Sequence, residues 1–129
     1  MDSLVAQARL TEFEIAAHRR QVAQTQSMIA DFDRLVADLD REVHAEEDRT
    51  RNHDPLNFAY STVAKSAAQR RDNLIHSIAL LRAQLEATNG DLKVALDKSQ
   101  SMEREMGGGE RSETGDGEIA NMNHANHAA

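Results

Sequence analysis

Five side chains capable of acid–base or metal chemistry lie close together near the middle of the chain: His44, Glu46, Glu47, His53 and Asp54. Imidazole and carboxylate groups bind metals, and imidazole also exchanges protons near neutral pH. Only His44 and Glu47 have the spacing that puts two side chains on one helical face. We therefore interpret the group as solvated charge beside a turn, with a metal-binding accessory role as the least favoured hypothesis.

Other candidate reactive groups are equally isolated. Thr62 and Lys65 have a nucleophile–lysine spacing, but its companion motifs are absent, and a solvated helical face explains the pair. His124 and His127 are three residues apart in a glycine-rich segment without further ligands. The chain has no cysteine and no phosphate-binding glycine motif. We expect no catalytic residues, no metal, no cofactor and no enzyme activity.

The element before these residues is predicted to be one long helix. Apolar residues recur at alternating steps of four and three, the period of a coiled-coil seam. No glycine or proline interrupts residues 2–48. The seam positions are Leu4, Ala8, Thr11, Ile15, His18, Val22, Thr25, Ile29, Phe32, Val36, Leu39 and Val43.

A second run with the same period follows the only proline. The pattern continues through Asn89-Gly90-Asp91, so we predict one helix across Gly90; a helix that ends at Asn89, followed by a short third helix, is the alternative. The seam positions are Tyr60, Ala64, Ala67, Arg71, Leu74, Ile78, Leu81, Leu85, Thr88, Leu92, Ala95, Ser99, Met102 and Met106.

Two such runs predict an all-α fold in which two long antiparallel helices form a coiled-coil hairpin. We expect helices over about 3–49 and 59–105 with a turn over about 50–58, all within a hairpin domain of residues 1–106. The glycine-rich residues 107–129 are predicted to form a disordered tail, because they lack apolar surface to offset the entropy of ordering.

Charge and hydropathy narrow the environments in which the chain could act. The net charge is −7, and a general phosphate-backbone binder would need clustered lysine and arginine instead. No stretch approaches 18 consecutive apolar residues, and the amino-terminal residues do not have the pattern of a secretory signal. We expect no nucleic-acid partner and no direct membrane insertion.

The turn itself can be predicted in more detail. Asp54 and Pro55 have the chemistry of a helix start, as N-cap and first helical residue, and Ser61 or Thr62 offers a second start. Phe58 and Tyr60 are expected to fold back on Val43. A turn centred near residue 54 also places Arg70 and Arg71 opposite Asp38 and its neighbours. We further expect fraying where Thr11, His18 and Thr25 face small or polar residues.

Some apolar residues fall outside the two seams. Leu10, Phe13 and Ala17 share a spacing of three and seven residues, and Ile75 and Leu80 lie off the second seam. An exposed apolar stripe indicates a binding surface for a partner. The alternative is geometric: a straight helix drifts by about 20° per heptad, which would turn Leu10 back towards the other helix.

Several segments together resemble one bacterial family, the flagellar export protein FliJ. They include Arg19–Gln24, Met28–Glu42, Glu46–Asp48 and Leu81–Leu85. The most specific are DPLNFAY, residues 54–60, and AKSAAQRRDNL, residues 64–74. The resemblance covers roughly residues 10–90.

The resemblance implies a small coiled-coil hairpin without catalytic residues. Its expected partners are the export ATPase FliI, the export gate protein FlhA and export chaperones. It implies a cytoplasmic location, peripherally associated with the inner membrane at the flagellar base. The expected partner-binding residues are Leu10, Phe13, Arg19 and Arg20 near the ATPase, with Leu74, Ile75 and Ile78 as candidates for the gate. A general coiled-coil adaptor or dimerisation module unrelated to flagella is the alternative.

Overall fold

The computed structural model describes residues 2–107, which form two α-helices and one connector. Helix α1 is Asp2–Thr50 and helix α2 is Thr62–Gly107. The two pack against each other as an all-α hairpin, and no strand occurs in residues 2–107. This confirms the predicted fold class. The prediction of a disordered tail, and the residues His124 and His127, fall outside the described part of the chain.

The burial pattern of each helix follows its heptad run. Every predicted seam position from Leu4 to Val43 in α1 is buried or half-buried. The same holds from Tyr60, just before α2, to Met102, whereas Met106 is exposed. A period of 3.5 residues keeps the apolar positions of each helix on one stripe, and this stripe provides the buried surface.

Helix α2 continues through Gly90 without interruption, so the alternative of a short third helix is wrong. The glycine has no positive φ angle, and a Cβ built on it would meet no atom within 4 Å. Glycine costs about 1 kcal/mol relative to alanine inside a helix, which the surrounding seam contacts can offset. The residue at this position therefore weakens the helix without ending it.

The compact unit Ala17–Asp91 contains the apolar cluster nearest to the connector. Leu39 and Val43 of α1 pack against Ala64 and Ala67 of α2, and all four are buried. Branched residues on one helix face alanines on the other, which lets the two backbones approach closely. Tyr60, Ala68 and Leu74 pack around this cluster.

Two ion pairs join the helices within this unit. Arg71 Nη1 lies 2.8 Å from Asp40 Oδ1, close to the predicted partner region around Asp38. Arg82 Nη2 and Asp33 Oδ2 are 3.8 Å apart and more exposed. The Asp40 carboxylate, with a smaller contribution from Asp72, raises the pKa of Arg71. Both pairs join an acidic α1 to a more basic α2, which favours this register.

The second compact unit comprises residues 2–16 and 92–107 of the described chain. Thr11, Ala95 and Met102 are buried in it. The Thr11 hydroxyl donates to the Gln7 carbonyl in its own helix at 2.9 Å and lies 3.8 Å from Met102 Sδ. The seam of this unit thus contains a buried hydroxyl group, and the shorter of its two contacts is a hydrogen bond within its own helix.

Within residues 2–107, neither helix has an apolar stretch long enough to cross a bilayer.

Candidate functional site

The hairpin tip, which we define as residues 46–61, contains most of the non-helical hydrogen bonds of residues 2–107. Helix α1 ends at Thr50, and Arg51 has a positive φ of 57°. The Arg51 N–H bonds to the Asp48 carbonyl at 3.3 Å, and the Asn52 N–H bonds to the Glu47 carbonyl at 3.2 Å. These two bonds form the Schellman motif, in which glycine usually occupies the left-handed position. The helix therefore stops here although no glycine is present.

Three Asx residues then shape the connector. The side-chain oxygens of Asn52, Asp54 and Asn57 each accept a hydrogen bond from the backbone N–H two residues later, at 2.8–3.2 Å. Backbone bonds from Asn57 to Asp54 and from Tyr60 to Asn57 close two successive β-turns. Such bonds let short polar side chains replace the missing helical partners. The connector is consequently a defined structure in which most backbone N–H groups are bonded.

The predicted helix start at Asp54 and Pro55 is wrong. Pro55 occupies the second position of a β-turn, where its fixed φ is equally suitable, and Asp54 accepts from Leu56 rather than from a helical N–H. The start offered as the second choice is the one observed. Ser61 Oγ accepts from the Ala64 N–H at 3.2 Å and caps α2.

Two hydrogen bonds across the tip connect the helix ends. The Tyr60 hydroxyl donates to Glu47 at 2.6 Å, and the Ser61 hydroxyl donates to Glu46 at 2.9 Å. Helix α2 has no acidic residue in its own first turn. Glu46 of α1 supplies a carboxylate at this position, where negative charge complements the helix dipole.

Glu46 and Arg49 form an ion pair within the tip. Arg49 binds Glu46 through two nitrogens, at 2.5 and 3.0 Å. Hydrogen bonds from Arg49 and then from Ser61 lower the pKa of Glu46 to about 2. The bond to the Glu47 carboxylate raises the pKa of Tyr60. Both shifts follow from hydrogen bonds that favour one protonation state.

The two aromatic residues of the tip have opposite environments. Tyr60 packs on the cluster around Val43, as predicted. Phe58 does not fold back, because the second β-turn directs its side chain into solvent, where it is 101% exposed. Leu56 is also almost fully exposed, at 94%. The tip thus presents two apolar side chains on a hydrogen-bonded backbone.

The structure separates the side chains that suggested metal or acid–base chemistry. His53 Nε2 lies 2.9 Å from Asp48 Oδ1, and His44 Nδ1 lies 2.8 Å from the Asp40 carbonyl one turn earlier. No group of three potential metal ligands occurs in residues 2–107. Thr62 and Lys65 lie on the exposed surface of α2. Several polar side chains of the tip bind one another or its backbone.

The predicted partner-binding residues fall into exposed and buried groups. Leu10 and Phe13 are 60% and 68% exposed in one compact unit, so the geometric alternative, in which Leu10 turns back into the seam, is wrong. In the other unit, Arg19, Arg20 and Ile75 are exposed. Leu74 packs on the tip-proximal cluster and Ile78 is buried, so both contribute mainly to the seam.

Two shallow grooves run beside the seam in the unit Ala17–Asp91. One, of about 500 Å³, is lined mainly by polar residues near the tip, among them Glu47, Tyr60 and Arg71. The other, also about 500 Å³, has Leu35, Leu39 and Leu74 in its lining. On the α1 side, the carboxylates of Asp38 and Glu42 border this second groove, and Arg70 and Asn73 line it on the α2 side.

The residue pattern does not predict the exposure of Leu35 and Leu56, or the bonds that Glu46 and Glu47 form with the connector. Leu35 lies immediately before the seam residue Val36, and is 47% exposed. Its position beside the seam could have indicated a groove-lining residue. The bonds of Glu46 and Glu47 depend on the path of the connector, for which the sequence contains no comparable signal.

Comparisons with models of protein families, with curated proteins and with solved structures give no match to this chain.

Proposed function

We propose that the chain is a non-enzymatic coiled-coil component of the flagellar type III protein export apparatus. It docks to the export ATPase FliI and to the export gate protein FlhA, and assists the export of substrates during flagellum assembly. It works in the cytoplasm at the inner face of the membrane, beneath the flagellum.

The observation that supports this proposal is the position of the residues that carry the family resemblance. The segments DPLNFAY and AKSAAQRRDNL form the connector and the first turns of α2. Asp54 organises the first β-turn, Tyr60 binds Glu47, and Arg71 binds Asp40. The resemblance therefore lies in residues with definite structural roles in a hairpin, beyond the heptad pattern that many coiled coils share.

The proposed docking residues are the exposed members of the predicted set. Leu10 and Phe13 offer apolar surface to the ATPase, and Arg19 and Arg20 offer charge to it. Ile75, 49% exposed, is the remaining candidate for the gate. Apolar and arginine side chains of this kind often dominate the free energy of protein association.

The direct test measures binding of the purified chain to FliI, by calorimetry or biolayer interferometry. We expect binding, and we expect Phe13→Ser to weaken it roughly tenfold or more, which corresponds to a lost contact of about 1.4 kcal/mol. Val94→Ser is the matched control, because Val94 lies in the same compact unit and is 67% exposed, against 68% for Phe13.

A genetic test addresses the process itself. Deletion of the coding sequence should abolish or reduce motility, and the wild-type chain should restore it. A fully motile deletion strain together with a purified chain that does not bind FliI would refute the proposal.

A second candidate function is a general coiled-coil adaptor or dimerisation module. The exposed apolar residues off the second seam, such as Ile75 and Leu80, favour a binding role without specifying flagella. The genomic neighbourhood separates the two candidates: adjacent export ATPase genes favour the export role, and their absence favours the adaptor.

A further inference from the structure

Leu56 and Phe58 form an unusual surface at the hairpin tip. They are 94% and 101% exposed, whereas a solvent-exposed turn commonly carries small or polar residues. The surrounding backbone is held by the Schellman motif, the two β-turns and the three Asx bonds. The backbone that carries the two side chains is therefore held in place, and binding through them requires little further ordering of the backbone.

The groove beside Leu35 has an apolar lining that could receive apolar side chains such as Leu56 and Phe58. Its volume is about 500 Å³, and Leu35, Leu39 and Leu74 provide an apolar lining. A groove of this size can accept a large side chain such as phenylalanine. Its α1 border is acidic, with Asp38 and Glu42, and Arg70 is the basic residue that lines it from α2.

One arginine of the tip is opposite in charge to this border. The carboxylates of Glu46, Glu47, Asp48 and Asp54 all accept hydrogen bonds within the tip. Arg51 is exposed and forms no ion pair within residues 2–107, and over the same range Glu42 forms none either. The tip thus combines two apolar side chains with a free positive charge, and the groove combines an apolar lining with a free negative charge.

We propose that the tip binds the Leu35 groove of a second copy of this chain, and that the second copy's tip binds the first copy's groove in return. Phe58 and Leu56 contact the apolar lining, and Arg51 pairs with Glu42. A two-fold axis makes the two contacts identical and closes the assembly as a dimer.

The spacing along α1 allows both contacts to form at once. Glu42 precedes Arg51 by nine residues, which is about 14 Å of helix. Two antiparallel hairpins that overlap over roughly this length bring each tip to the other's groove. Two such contacts bury on the order of 1,000–1,500 Å², near the lower limit for specific interfaces, so the dimer should dissociate on dilution.

Sedimentation equilibrium from about 1 µM to about 1 mM covers the affinities of interfaces of this size. We expect the average mass to rise from the monomer value of 14.3 kDa towards twice that value. Leu56→Ser combined with Phe58→Ser should weaken association tenfold or more while helical content stays unchanged. The control pair, Val94→Ser with Met106→Ser, removes apolar residues that are 67% and 44% exposed, far along α2 from the tip, and should leave association intact.

A charge exchange tests the pairing of the two surfaces. Arg51→Glu alone and Glu42→Arg alone should each weaken association several-fold. The chain that carries both substitutions should recover it, because every contact between copies regains an opposite pair. Failure of the double variant to recover would refute the proposed contact.

Cysteine cross-linking tests proximity directly, since the chain contains no cysteine. A chain with Ala59→Cys, mixed with a chain with Asp38→Cys and treated with a short bis-maleimide, should give a covalent heterodimer, and both chains keep Phe58 and Glu42. Ser66→Cys replaces Asp38→Cys as the exposed control and should give little product.

Two outcomes would reassign the tip. A wild-type chain that remains monomeric at 1 mM would overturn the proposal. In that case, binding to vesicles that is lost in the Leu56→Ser, Phe58→Ser chain would assign the tip to a membrane surface. Loss of binding to a purified partner protein in the same variant would assign it to that protein. None of these results depends on the proposed export role.

Discussion

The seam near the connector and the seam of residues 2–16 and 92–107 share a heptad period but differ in what fixes the helices together. Near the connector, Leu39 and Val43 pack on two alanines, and polar side chains of α1 bond to Arg71 of α2 and to Tyr60 just before it. In the second unit, Thr11 and Met102 meet across the seam, and the threonine's good hydrogen bond stays within its own helix.

A heptad pattern provides both buried apolar surface and a register between the helices, and the two regions differ in which of these they supply. Apolar positions provide burial in both regions, but they tolerate shifts in register by whole heptads. Cross-helix bonds such as Tyr60–Glu47 and Arg71–Asp40 have one geometry and penalise a shift. We infer that register is specified mainly in the unit Ala17–Asp91, and that the other unit adds burial.

The largest expected effect comes from removing a cluster side chain. Leu39→Ala should lower the free energy of unfolding by about 2–4 kcal/mol, because it leaves a cavity beside Ala64 and Ala67. Met102→Ala is the matched change, since the two residues are 6% and 7% exposed. We expect a loss at least 1 kcal/mol smaller there, as local opening limits what that contact contributes.

Urea unfolding followed by circular dichroism measures both variants. An equal or larger loss of unfolding free energy in Met102→Ala would show that the contacts of the second unit contribute as much to stability as those near the connector. It would also contradict the fraying predicted from the polar seam residues.

A smaller effect is expected from the interhelical ion pair. A double-mutant cycle of Arg71→Ala and Asp40→Ala should give a coupling of about 0.5–1 kcal/mol, because the Arg71 side chain is only 25% exposed. Thr11→Val provides the contrast. It should change stability by less than about 0.5 kcal/mol, because the Gln7 carbonyl keeps its helical bond. A coupling of zero would contradict the inference that the unit Ala17–Asp91 specifies the register. A large loss of stability in Thr11→Val would contradict it as well.

The smallest effect is a pH dependence at the tip. The pKa of Glu46 is lowered to about 2 in the folded chain, so its contribution is complete above the ordinary value of 4.5 and disappears as pH falls towards 2. In Glu46→Gln, the melting temperature should therefore fall less steeply over this interval than in the wild type. The effect should be small because solvent screens the surface pair with Arg49.

The control for this titration is Glu86→Gln, an exposed glutamate in α2 away from the tip. Its curve should follow the wild type. Curves that coincide for all three proteins would show that the tip hydrogen bonds do not contribute to acid stability.

The helices and the residues that pair across the seam could be predicted because the spacing of apolar residues can be read directly from the sequence. Val43 against Ala64, and Arg71 near Asp38, both follow from a heptad pattern and a turn position. The path of the connector could not be predicted in the same way. Asp54 and Pro55 suit a helix start and a β-turn equally, and only the subsequent Asn57 turn and the Ser61 cap decide between them.

The site was predictable only in part, for a related reason. Leu10 and Phe13 could be identified because they lie far from the seam on a regular helix. The exposure of Phe58 depends on the direction of one turn, and the bonds of Glu46 and Glu47 depend on how that turn returns the chain. Such contacts have no period, so no pattern in residue type predicts them.

The hydrogen bond between Glu47 and Tyr60 has a consequence for the order of folding. It joins residues 13 apart, whereas the Asp40–Arg71 bond spans 31 residues and the Thr11–Met102 contact spans 91. Each doubling of the closed loop costs about 0.6 kcal/mol of chain entropy. We therefore expect the two arms of the hairpin to join first at the connector, because the sequence separation of contacts between them increases from there along both helices. A chain leaving the ribosome can form this contact before its second half is made.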